Sequence, residues 1–240
     1  MTVSPWRHLR LSDRIQPGVR VLLVGINPGV RSAQTGHHFA GPSNRFWKLL
    51  YESGLVPERI TFADDDRLHE WGLGVTNVVA RPSPGIDEIR PAEYLEGWTI
   101  LEKKIEKFRP SIVAFVGVTL YRALWKVLGA APAPAIQPGL QHATVHGARV
   151  FVLPNPSGRN ANFSYAEMLA AFRALRRAME AIVSEPRPRR RPRAAVSSAE
   201  PTAAGAERSR PAPGTTSRTT PSTPAAAPSR RAQRKRAGSR

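Results

Sequence analysis

The chain predicts an α/β fold, a three-layer α/β/α sandwich around a mainly parallel sheet of about four strands, followed by a disordered C-terminal tail. Three observations carry that prediction. Short apolar runs, mostly β-branched and non-alternating, suit strands covered on both faces. Longer amphipathic stretches lie between them and suit the covering helices. From Ser184 onward there is no Phe, Trp or Tyr and no apolar period, only Pro, Ala, Ser, Thr and Arg in steady supply. Such a segment buries too little apolar surface to offset its chain entropy.

The first strand spans Val19 to Val24 and runs into the turn Gly25-Ile26-Asn27-Pro28-Gly29. A helix is expected over Asn44 to Glu52. Asp64-Asp65-Asp66 reads as a solvated helix start rather than a metal site, since carboxylates favour the positive end of a helix. The second strand is Gly74 to Val79. Pro91 to Phe108 forms a helix with Pro at its first position and apolar residues at Leu95, Trp98, Ile100, Leu101 and Ile105. The third strand, Ile112 to Gly117, is followed at once by a helix from Thr119 to Leu128. His142 and His146 are four apart, but "QHATVHGARV" reads as a loop or hairpin rather than a helix, so a zinc pair is not expected there. The fourth strand, Arg149 to Leu153, ends in "LPNPSGRN". Ser164-Tyr165-Ala166-Glu167 is a capping box opening the final helix, which runs to Val183.

This divides the chain into a folded domain, residues 1–183, and a tail, residues 184–240. The tail holds 14 Arg and Lys against 3 Glu, which leaves 22 basic and 15 acidic residues in the body. Both parts are basic, and a polyanion, most commonly nucleic acid, is the expected partner. For the tail, improved solubility or a compositional bias toward Arg, Ala and Pro is a serious competing explanation of the charge. No cysteine is present, which excludes disulfides, iron–sulfur clusters and thiolate zinc sites. No apolar run reaches membrane-spanning length and no signal-peptide core is seen, so a soluble, cytoplasmic protein is expected.

In open parallel sheets, ligands bind beyond the carboxyl ends of the strands. Both "GINPG" and "LPNPSGRN" belong at that edge. Each taken singly is a turn built from turn-forming dipeptides. Together, with "GHHFAGPSNRFW" between them, they read as one site. Glycine is needed where backbone approaches a ligand, and Pro28 sets the direction of the chain after Asn27.

These segments resemble the uracil-DNA glycosylase superfamily, in its mismatch-specific uracil- and thymine-DNA glycosylase branch. The resemblance extends from about Val19 to the end of the last helix. It rests on "GINPG", "GHHFAGPSNRFW", "GVTNVVARPSPG" and "NPSG", in the family's order and spacing. It implies an enzyme that flips a damaged base out of duplex DNA and hydrolyses its N-glycosidic bond. Asn27 matches the catalytic asparagine that positions the attacking water; an amide takes up no proton at neutral pH, so the uracil anion leaves first. The base pocket implied comprises Gly25, Ile26, Gly29, His38, Phe39, Asn77 and Asn155. Phe39 matches the aromatic that stacks on the base, its alternative being an ordinary core residue. Asn77 matches a reader of the base edge, or else satisfies backbone groups at a strand end. His38 contacts the pocket or a phosphate, or is simply exposed.

Faster relatives carry a tyrosine where Gly29 stands and a histidine where Asn155 stands. The first departure opens the C5 side of the pocket; the second removes a preorganised donor, worth on the order of a hundred- to thousandfold in rate. A permissive and slow enzyme is the expectation. Pro156, Ser157, Gly158 and Arg159 match the loop that enters the helix, with Arg159 filling the vacated gap or binding a phosphate. No metal and no cofactor are implied. The partner implied is double-stranded DNA with G·U or G·T mismatches, bound by a monomer, nucleoid-associated if the source is bacterial. The competing readings are a non-catalytic binder of mismatched DNA and a nucleotide-binding enzyme, although "GINPG" lacks both a dinucleotide fingerprint and a P-loop lysine.

Overall fold

The computed structural model describes residues 5–129 and 136–184. These lie in the first of the two units into which the chain divides, Met1–Arg189; the second is Arg190–Arg240. The tail expected from residue 184 falls outside the described residues, apart from Ser184, which closes the last helix.

Five strands form one sheet in the order β2-β1-β3-β5-β4: β1 Val21–Gly25, β2 Leu73–Asn77, β3 Ile112–Val116, β4 Gly139–Val145 and β5 Ala148–Leu153. The pairs β1–β2, β1–β3 and β3–β5 are parallel. The expected four strands are all present, shifted by one or two residues at their ends. The fifth, β4, pairs antiparallel with β5 through a turn at His146, whose φ is +47°, so the "QHATVHGARV" stretch is a hairpin. As an edge strand with one open side it mixes exposed and half-buried positions, and its sequence carries no long apolar run.

Alternate residues of the central strands face opposite layers, as strand geometry requires. Val21, Leu23, Ile112 and Ala114 pack with Phe46, Leu50, Phe172 and Leu175, on helices α2 (Phe46–Glu52) and α5 (Tyr165–Ser184). Leu22, Val24, Val113 and Phe115 pack with Leu101, Ile105, Leu120 and Leu124, on α3 (Pro91–Phe108) and α4 (Val118–Val127). This is the three-layer sandwich. A short helix α1, Val30–Thr35, was not expected from sequence, and the helix start read at Asp64-Asp65-Asp66 belongs to a 3₁₀ segment, Phe62–Trp71.

The buried stripe of α3 is Tyr94, Gly97, Leu101 and Ile105, whereas Leu95 and Ile100 are 42% and 53% exposed. Spacings of three and four select one face, and Leu95 and Ile100 fall off it. Gly97 is required: a Cβ there would collide with the carbonyl of Val78. The helix can thus lie against the chain just after Asn77. No described helix is long and apolar enough to cross a membrane.

Candidate active site

A cleft of about 440 Å³ opens at the carboxyl ends of β1, β2, β3 and β5. Gly25, Ile26, Asn27, Gly29, His38, Phe39, Asn77, Asn155, Ser157 and Arg159 all line it. Pro156 and Gly158 do not. They fix the loop to the start of α2: the Pro156 carbonyl accepts from Arg45 N at 2.9 Å, and a Cβ on Gly158 would collide with Ser43. A larger cavity, about 640 Å³, lies between the ends of α2 and α5 and contains none of these residues.

The Asn27 amide is held in one orientation. Its Nδ2 donates to Ser83 Oγ at 2.8 Å, to Pro28 O at 3.2 Å and to Arg81 O at 3.3 Å. Ser83 spends its own proton on Gly85 O at 2.6 Å. A hydroxyl has one proton, so toward Asn27 its oxygen can only accept. Oδ1 of Asn27 accepts from no described residue and is the atom left for a ligand. The loop that does this is clasped from outside by the Arg81–Glu93 fork, at 2.6 and 2.8 Å, with Arg81 also donating to Glu88 O.

Parallel pairing sets Asn77 directly beside Gly25. The Asn77 side chain has no hydrogen-bond partner among the described residues, so its whole amide is available. Glycine at 25 lets Asn77 keep this orientation, because a Cβ there would collide with Asn77 Oδ1. Asn155 uses Oδ1 to accept from Ser157 N at 3.0 Å, which leaves its Nδ2 as a donor at the cleft. A Cβ on Gly29 would meet nothing within 4 Å, and its backbone, φ −66° and ψ 159°, suits any residue.

Phe39 stands where both of its readings meet. One ring face stacks on buried Phe46, centroids 3.9 Å apart, while the residue also lines the cleft. Its φ is +52°, a left-handed conformation that costs a non-glycine residue about 1–2 kcal/mol. His38 is 1% exposed and lines the cleft, which overturns the reading of a simply exposed histidine. Its Nε2 is the one buried side-chain polar atom among the described residues with no partner.

Asp65 corrects the reading of the acidic triplet. Asp64 does cap the 3₁₀ segment through Thr61, but Asp65 is fully buried. It accepts from Arg14 Nε at 2.9 Å, from the Nδ1 atoms of His37 and His38 at 3.0 Å each, and from His38 N at 2.9 Å. Burial pushes its carboxyl upward, and the hydrogen bonds from His38, His37 and Arg14 outweigh it, holding the group well below the usual carboxylate range. Among the described residues no group of three or more acidic or histidine side chains is placed to hold a metal.

Sequence reasoning missed Ser83 and Arg81 and misread Asp65. The first two lie inside the "ARPSPG" segment, where the neighbouring prolines already marked a fixed turn. Asp65 had no local signal, because its partners are 27, 28 and 51 residues away.

The profile of the uracil DNA glycosylase superfamily matches residues 12–177. The solution NMR structure of a candidate uracil DNA glycosylase from Methanosarcina acetivorans is 17% identical, covering 72% of this chain and 98% of its own, with a TM-score of 0.46. The superfamily match spans all five strands and every residue named in the cleft, and on it the chain belongs to the uracil DNA glycosylase superfamily.

Proposed function

We propose that the protein is a monofunctional DNA glycosylase that releases uracil, and thymine or other C5-substituted pyrimidines, from opposite guanine in mismatched duplex DNA. The observation that carries the reading is the Asn27 amide, locked by three acceptors with only its oxygen unclaimed. An amide so fixed orients a water without taking its proton. The bond from C1′ to the base nitrogen breaks first, the electron pair leaving with the base. Water held by Asn27 Oδ1 then adds to C1′, and the proton it gives up as the abasic sugar forms neutralises the departed base anion.

The base rests on Phe39 once flipped into the cleft. Asn77 meets its edge with a donor and an acceptor. Asn155 Nδ2 donates to the departing anion, in place of a stronger histidine donor. The space over Gly29 admits a C5 substituent, and Arg159, whose guanidinium has no hydrogen-bond partner among the described residues, enters the duplex or binds a phosphate. Single-turnover release of uracil from a G·U duplex tests this. Asn27→Ala is expected to abolish release and keep mismatch binding. Release that survives the substitution would overturn the mechanism. Binding with no release by the unaltered protein would favour the non-catalytic binder.

A further inference from the structure

The residues flanking Phe39 are each gripped by a buried side chain. Asp65 Oδ2 accepts from both the backbone N–H and the ring of His38, at 2.9 and 3.0 Å. The His38 carbonyl accepts from Trp47 Nε1 at 3.2 Å. On the other side, Ala40 N donates to Ser32 Oγ at 3.0 Å. Phe39 itself is left-handed, a state that persists only where the surroundings over-determine it.

We propose that Asp65 is a positioning residue for the base site, gripping His38 by backbone and ring so that Phe39 stays left-handed with its ring between Phe46 and the cleft. The inference rests on the reading of Phe39 as the surface on which the base stacks. Only a carboxylate fills this place. Asp65 meets four donors, from Arg14, His37 and His38, and has two oxygens with lone pairs for all of them. An asparagine would set an NH₂ group against two of those donors. The grip is anchored in turn, because Arg14 exchanges two backbone hydrogen bonds with Val75 on β2, at 2.9 Å each. The 3₁₀ segment, the sheet and the cleft loop therefore share one fixed point.

Two measurements on Asp65→Asn separate positioning from bulk stability. In protein labelled with 4-fluorophenylalanine, the Phe39 resonance is identified by its loss in Phe39→Leu. Asp65→Asn is expected to shift and broaden that resonance while that of Phe115, on the opposite face of the sheet, stays in place. An unmoved Phe39 resonance in the folded variant would overturn the proposal. In single-turnover release of uracil, Asp65→Asn should slow the wild-type protein by up to about a hundredfold, the scale of a roughly 1 Å misplacement, yet add nothing in the Phe39→Leu background. Equal losses in both backgrounds would mean that Asp65 does not act through Phe39. Should Asp65→Asn fail to fold, Ser32→Ala frees the same residue from its other side and is held to the same two outcomes. The fluorine measurement needs no catalysis: a moved resonance with no base release by the wild-type protein would sink the glycosylase reading and leave the grip on Phe39 standing.

Discussion

Each amide in the cleft is set apart by what the fold has already consumed. Asn27 has lost its donors to Ser83, Pro28 and Arg81, Asn155 has lost its acceptor to Ser157, and Asn77 has lost nothing. One side-chain type thus presents an acceptor, a donor and a donor–acceptor pair at three places. Gly29 adds open space beside them. Gly29→Tyr is accommodated by the backbone and is expected to suppress release of thymine and other C5-substituted bases at least tenfold more than release of uracil. A steric clash discriminates more sharply than a missing methyl contact, worth about 1–3 kcal/mol. Rates measured under single turnover on uracil and 5-substituted duplexes check this, and equal losses would remove Gly29 from that wall.

At the scale of elements, the clasp between Arg81 and the first turn of α3 carries the loop that holds Asn27. The hydrogen bond from Arg81 pulls the Glu93 carboxyl down to about 2, against its burial and with help from the Arg90 N–H. Its unfolded value is near 4.5, so the clasp adds stability that is complete above about pH 4.5 and is lost as pH falls toward 2. Glu93→Gln should lower the neutral-pH melting temperature by a few degrees, at about 2–4 °C per kcal/mol in a domain of this size, and flatten its decline between pH 4.5 and 2. An unchanged decline would place the acid sensitivity elsewhere. The strands that hold the site were legible in the sequence because Val21 to Val24 and Ile112 to Val116 are apolar on both faces. Asn27, Asn77 and Asn155 were legible because each follows or ends such a run. The edge strand β4 was read only as loop or hairpin, because one side of it needs no cover. Asp65 was misread because its burial depends on a loop and an N-terminal segment distant in sequence, and a triplet of acids looks solvated until they arrive. Leu95 and Ile100 are exposed although they counted among the apolar residues of α3, because apolar content alone carries no angle around the helix.

For the whole molecule, charge is the longest-range property. Truncation after Arg189 keeps the described unit intact and removes 12 basic residues. Each phosphate that those residues neutralise steepens the slope of log affinity against log salt by roughly 0.9 on duplex DNA. Truncation is therefore expected to weaken binding at low salt and flatten the slope, with single-turnover base release at saturating protein unchanged. A slope that stays the same would assign the tail to solubility or to another partner. The turns at the ends of β1 and β5 have one more effect, which concerns chemical ageing. Asparagine in proteins deamidates when the next residue's backbone nitrogen attacks the side-chain carbonyl and closes a succinimide. Asn27 and Asn155 are each followed by proline, which has no N–H to begin that attack. The prolines that aim these two amides into the cleft also protect them from decaying into aspartate over the lifetime of the protein.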